Sequence, residues 1–195
     1  MDDEIRVRPA AQLLRDFVNT YEPQVDEESL STPPQLRDWL AARHLLPPDA
    51  QLDPSDVTAA ATVREGLRAI MLGHAGHSTD SSAVQALNQT LAELPLRLTM
   101  TDAGYSLSSA SSTPFGQALG QLADAIRRCT EDGSWPRLKV CARDTCRWAF
   151  YDASRNQVRR WCSMAGCGNH IKMQRAYAAR KNRERQASAG AEAPR

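Results

Sequence analysis

No stretch of the 195 residues approaches the run of about 18 apolar residues that a membrane-spanning helix needs. A protein that crosses the bilayer through helices is therefore excluded. The opening segment MDDEIRVRPAAQLL is acidic and lacks both the basic start and the apolar stretch of a secretion signal. A cytoplasmic, reducing setting is the expectation. There are only five cysteines, an odd count that rules out a complete disulfide framework. Clustered thiols in a reducing setting more often bind metal. The chain has no Gly-rich phosphate loop, no nucleophile elbow and no HExxH helix. It also has no internal repeat. Nothing in it announces an enzyme, and none is expected.

Hydrophobic residues make up 42% of the chain, enough for a core, and the net charge is only +1. That small total hides a split. Residues 1–136 hold ten Lys/Arg and nineteen Asp/Glu, a net charge of −9. Residues 137–185 hold thirteen Lys/Arg against Asp144, Asp152 and Glu184, a net charge of +10. Two regions with different partners are implied, and the basic one suits a polyanion.

Helical periodicity dominates the acidic region. PAAQLLRDFV reads as a helix to about Val18, and Gln35 to His44 as a short one ending before Pro47 and Pro48. The clearest helix carries Val57, Ala60, Val63, Leu67, Ile70 and Met71 at helical spacing. Ser55 or Asp56 is placed to cap it, with Gly73 and Gly76 to end it. SSAVQALNQTLAELP is a further helix. TPFGQALGQLADAIRRCTEDG puts Phe115, Leu119, Leu122, Ile126 and Cys129 on one face. Period-two alternation occurs in LRLTMTDAGYSLSS, which predicts a β-hairpin turning at Asp102-Ala103-Gly104. The short polar link Glu131–Trp135 marks a domain boundary. The organisation expected is a helical domain over 1–134, a second module over 135–186 and a disordered tail over 187–195.

Four of the five cysteines fall between Cys141 and Cys167, spaced C-x4-C-x15-C-x4-C. Two short-spaced pairs joined by a linker are what a tetrahedral zinc ion requires. Each pair closes a tight loop, and four thiolates fill the coordination sphere. One structural Zn2+ on Cys141, Cys146, Cys162 and Cys167 is expected, with metal binding and folding of the module coupled. Four unrelated reduced thiols are the bland alternative, and an iron–sulfur cluster is another, although its usual spacings differ. RLKVCARDTCRWAFYD alternates around a turn, as a hairpin with Cys141 and Cys146 at its tip would. Asn169 is placed to cap a helix from about His170 to Arg185, with Cys162 and Cys167 at its entry. Hairpin plus helix closed by zinc is a treble-clef-like arrangement, making the fold class α+β. Trp148, Phe150, Tyr151 and Trp161 would form its small apolar core, or stack on bases.

The pattern C-x4-C, then WAFYDASRN, RRWCSM and CGN before a basic helix resembles the CGNR zinc finger family. The region before it, with FVNT near its start, resembles the ABATE domain that usually precedes that finger. The resemblance covers nearly the whole chain. It implies a stress-induced transcription regulator that binds DNA through the finger's basic residues. His170 stands where the family motif has its name-giving arginine, which implies a weaker or pH-dependent phosphate contact at that position.

Arg155, Arg159 and Arg160 lie in the linker between the cysteine pairs, and Lys172 and Arg175 on the helix. With His170 they are the candidate nucleic-acid-binding residues, because clustered cations on phosphate release counterions. Docking onto an acidic protein partner, onto the chain's own acidic half, or onto RNA remain open readings of the same charge. A small-molecule effector at the helical domain and a homodimer are further partners the two-part layout admits. His74 and His77 form H-x-x-H, read as two loop histidines rather than a second metal site. Cys129 is read as a buried core thiol.

Overall fold

Proline opens four of the helices. The computed structural model, which describes residues 7–102 and 104–191, starts α1 at Pro9 (Pro9–Val18), α2 at Pro33 (Pro33–Ala41), α3 at Pro54 (Pro54–His74) and α5 at Pro114 (Pro114–Glu131). Proline at the first helical position loses no hydrogen bond, since that N–H has no intrahelical partner. Side chains supply the caps. Thr32 Oγ1 accepts from Gln35 N, and Thr113 Oγ1 accepts from Gly116 N. Asp80 Oδ1 accepts from Ser82 N and Ala83 N ahead of α4 (Ser81–Ala92). The cap of α3 is Asp53 rather than Ser55 or Asp56, and Asp56 reaches back to accept from Asp53 N at 2.8 Å.

The end of α2 differs from the sequence expectation, while α3 ends where Gly73 and Gly76 placed it. α2 stops at Ala41, three residues before His44, because His44 takes a left-handed φ of 58°. His44 N then donates to Ala41 O and Leu45 N to Leu40 O, which closes the helix. α3 runs through Gly73 and is closed the same way at Gly76, whose φ is 79°.

The core gathers Leu14, Phe17 and Val18 of α1, Leu36 and Leu40 of α2, Val63, Leu67 and Met71 of α3, and Phe115, Leu122 and Cys129 of α5. Cys129 is thus the buried thiol the sequence suggested. α4 crosses α3 at Gly66, where an added Cβ would come within 2.3 Å of Leu87 Cβ. Besides a two-residue hairpin, β1 (Tyr21–Glu22) with β2 (Glu27–Glu28), the body carries the expected hairpin. β3 (Leu96–Thr101) pairs with β4 (Gly104–Ser109), Leu98 opposite Leu107, and β4 lies against α5.

After a 3-10 turn at Trp135–Arg137 come β5 (Leu138–Val140) and β6 (Ala149–Tyr151), paired antiparallel with Lys139 opposite Phe150. Leu138, Val140 and Ala149 join the same core as the helices. A π-helical turn, Met164–Gly168, leads into α6 (Asn169–Ala191). That helix extends past the expected Arg185 and through part of the expected tail; residues 192–195 lie outside the described residues.

Candidate metal centre

Cys141 follows β5 directly, and Cys146 lies on the knuckle between the two strands. The knuckle is closed by Cys141 N donating to Trp148 O at 2.9 Å and Cys146 N to Arg143 O at 2.9 Å. Arg147 turns the chain with a left-handed φ of 51°. Cys162 precedes the π turn and Cys167 sits inside it. Ser163 caps this turn, its Oγ accepting from Gly166 N at 3.2 Å. Asn169 is therefore already helical and is not the cap expected from the sequence; its Nδ2 donates to Ala165 O at 3.4 Å.

The four sulfurs lie within 4.8 Å of one another. Cys146 Sγ to Cys162 Sγ and Cys162 Sγ to Cys167 Sγ are both 3.7 Å. Zn–S bonds near 2.3 Å give a tetrahedron with edges of about 3.8 Å, so the thiols are set for one zinc ion and are too far apart for disulfides. Burial pushes the Cys146 thiol up to about 11. Burial also raises Cys162, and charge on Cys141 and Cys146 adds to it. At Cys167 burial acts in the same direction, but hydrogen bonding with Cys146, Cys162 and Arg143 outweighs it and holds the thiol below its usual range. Four thiolates cannot share this space without a cation among them, and a dication is what the donor set fits. With every position taken by sulfur, the zinc is structural and offers no open coordination site.

The surroundings complete the centre. Trp148 and Trp161 wall the cysteines. Phe150 is buried beneath the guanidinium of Arg159, and Tyr151 packs on the body's core instead. Arg143 Nη1 lies 3.9 Å from Cys167 Sγ. Its Nε and Arg147 Nη1 are buried with no hydrogen-bond partner among the described residues. Four thiolates around Zn2+ leave two negative charges, and guanidiniums at the knuckle offset them.

Much of the basic charge is internal. Lys139 Nζ pairs with Asp152 Oδ2 at 2.8 Å, with side chains 4% and 0% exposed. Asp152 also accepts from Ser154 N and Arg159 N, which shapes the linker. Arg137 Nη1 donates to Asp152 O and Ser154 O. Arg159 Nε donates to Trp161 O at 2.9 Å, and its Nη2 to Cys162 O. Arg155, Arg160, His170 and Lys172 are exposed. Arg175 lies on α6, but its side chain is outside the described set. The structure thus brings Arg155 and Arg160 to the surface of the linker and His170 and Lys172 to the first turn of α6, and turns Arg159 inward.

Residues of the acidic region hold this module, and sequence reading missed them. Asn19 Nδ2 donates to Ala149 O at 2.9 Å and Asn19 Oδ1 accepts from Ala149 N at 2.7 Å, so the side chain acts as an extra strand on β6. Arg68 Nη1 donates to Arg147 O beside Cys146, while its Nη2 donates to Val18 O and Tyr21 O. Arg64, one turn earlier on α3, pairs with Glu28, Nη2 to Oε2 at 2.7 Å. The available signal was Arg64 at a core position of the Val57–Met71 pattern, where an apolar residue would be expected. His74 Nδ1 donates to Leu138 O at 2.8 Å, and Arg160 Nη2 donates to His77 Nε2 at 2.9 Å. The two histidines therefore have separate partners, and the cysteines are the metal-ligand cluster found among the described residues. Replacing Asn19 with alanine will cost about 1–3 kcal/mol, because the two backbone groups of buried Ala149 lose their partner. Urea denaturation of the zinc-loaded protein measures it.

Residues 137–181 match the CGNR zinc finger family, and residues 11–145 match the ABATE family, whose description reads "putative stress-induced transcription regulator". The two matches overlap on β5 and the first cysteine knuckle, where the module joins the helical core. Neither is an enzyme family. A comparison with curated proteins finds no match. No helix among the described residues is long and apolar enough to cross a membrane. With a match over more than half its length, the chain belongs to the ABATE family and carries a CGNR zinc finger after its helical region.

Proposed function

We propose that the protein is a cytoplasmic, DNA-binding transcription regulator. In this reading Cys141, Cys146, Cys162 and Cys167 hold the zinc, residues 135–186 contact duplex DNA, and the helical region 1–134 governs that contact in response to a small-molecule effector. The observation that carries the reading is α6. It has 23 residues, is mostly polar, and its described side chains are almost all exposed. Its main packing partner is the turn it grows from. A helix this polar, whose large apolar side chains Met173 and Tyr177 are themselves exposed, gains little from the protein's own core and needs another reason to be there. Cations on its surface, rooted beside a metal cage, supply one. Arg155, Arg160, His170, Lys172 and Arg175 are the proposed phosphate contacts. Arg159 positions Cys162 through its carbonyl hydrogen bonds.

A salt titration of duplex binding tests this. Log K should fall by about 0.9 per log unit of salt for each phosphate neutralised, and replacing both Arg160 and Lys172 with alanine should flatten the slope by up to about 2 units. Arg159→Ala should lower zinc retention more than the salt slope. His170→Arg should tighten binding. One observation favours protein docking instead: Met173 and Tyr177, four apart on α6, are 74% and 60% exposed. Duplex affinity absent at low salt, or insensitive to salt and to the cations, would support that second reading.

A further inference from the structure

A cleft of about 590 Å³ lies where the helical body meets the finger. Asp16, Trp39 and Arg43 line it from the body, and Trp148, Tyr151 and the zinc-site residue Cys162 from the finger. That volume falls in the range of small-molecule sites. Its walls are aromatic on both sides. Trp39 is held by Phe17 of the core, ring centroids 5.5 Å apart. Arg43 lies over Trp39, its guanidinium carbon 3.8 Å from the ring centroid, and Arg43 Nη1 donates to Trp39 O at 3.1 Å. This leaves the Nε–Nη2 edge, the pair of parallel donors that matches a carboxylate, without a partner among the described residues. No carboxylate there forms an ion pair with Arg43. Asp16 is already taken by Arg15, Nη2 to Oδ1 at 2.8 Å. Burial lowers the pKa of Arg43, with the charge of Asp16 opposing. A partly buried cation whose fork no described protein group uses, set beside aromatic rings, is placed to take an anion.

We propose that the cleft binds a small aromatic carboxylate, with the carboxylate on the Nε–Nη2 edge of Arg43 and the ring between the aromatic walls. One negative charge matches one free guanidinium. A doubly charged phosphate would face only one unpaired guanidinium, since Arg15, the other arginine on the cleft wall, is paired with Asp16. Because the ligand touches Trp39 of the body and Trp148 beside Cys146, its occupancy ties the angle of the finger to the helical region. The proposal rests on reading the helical region as effector-sensing, not on DNA binding, and its test is run without DNA.

The probe is 2-naphthoate, titrated calorimetrically into zinc-loaded protein. Its neutral amide, 2-naphthamide, and the non-planar anion cyclohexanecarboxylate serve as comparisons. The expected result is saturable 1:1 binding of 2-naphthoate, at least about tenfold weaker for either comparison, as loss of one charge-assisted hydrogen-bonded pair or of ring stacking predicts. Arg43→Met should weaken 2-naphthoate by the same factor or more, and Arg43→Lys, which keeps the charge but not the fork, by less. In indole N–H spectra the Trp39 and Trp148 signals should shift on binding while Trp135, packed edge-on against His74 away from the cleft, stays fixed. Absence of saturable 2-naphthoate binding, equal binding of the amide, or unchanged spectra at Trp39 and Trp148 would overturn the proposal. The comparison of acid with amide needs no variant, so a misfolded Arg43 substitution does not blunt it.

Discussion

Stripping zinc from the purified protein will melt the far half of the finger and leave its hairpin in place. Structural zinc in small fingers contributes on the order of 10–16 kcal/mol at neutral pH, which is more than any other single term available to this module. What it holds is unequal. β5 and β6 are anchored without it, because Leu138 and Val140 are fully buried in the helical core and Asn19, Arg68 and His74 hydrogen-bond to the hairpin backbone. Cys162, the π turn and α6 have no such burial. They are tied to the body by the cysteine cage, by Ala142 N donating to Arg160 O, and by the contacts of Arg159 and Arg160. Hydrogen exchange of chelated protein should therefore show residues 162–185 exchanging freely while Val140 and Ala149 stay protected. Cys146→Ser should reproduce the pattern and abolish zinc binding. Protection of α6 that survives complete chelation would mean that packing, not metal, holds the helix.

Replacing Asp152 with alanine will cost about 3–5 kcal/mol, the usual penalty for leaving one member of a buried ion pair unpaired. Lys139 Nζ would keep only the carbonyls of Gln157 and Arg159, and the linker would lose the carboxylate that accepts from Ser154 N and Arg159 N. Replacing both, as in Lys139→Met with Asp152→Leu, should cost less than Asp152→Ala alone, because no buried charge is stranded. Acid should expose the same pair. Burial by itself would raise the Asp152 pKa, but Lys139, Ser154 and Arg159 outweigh it and hold the carboxyl below the usual range. Its folded value lies below its unfolded one, near 3.9 for a free aspartate. The stabilisation is thus complete at neutral pH and is lost as pH falls through the folded value. Asp152→Asn should remove that part of the acid dependence. Urea denaturation at neutral and acidic pH reads both effects, and a wild-type-like stability for Asp152→Ala at neutral pH would contradict them.

The helices and the metal centre were legible because each has a local signal. Apolar spacing marks the inner faces of α3 and α5 and the cysteine spacing predicts the cage, whereas the proline at the first position of α3 was passed over and its cap was expected at Ser55 or Asp56. Helix ends were harder, since His44 stops α2 by a backbone twist that its side chain does not advertise. The join between body and finger was not legible at all. Asn19, Arg68 and His74 act at sequence separations of 64 to 130 residues, and periodicity has no reach over that distance. Charge counting misled in a specific way. It gave Lys139, Arg137 and Arg159 the same weight as Arg160 and Lys172, although the first three are spent on carbonyls and on Asp152.

The claim that the zinc-held finger reads duplex DNA is tested most directly by selecting bound sequences from a random duplex pool with the zinc-loaded full chain at low salt. The account predicts enrichment of a shared duplex sequence, lost when Cys146→Ser protein is used. A pool that stays random while the zinc-loaded protein is folded and present in excess would contradict it.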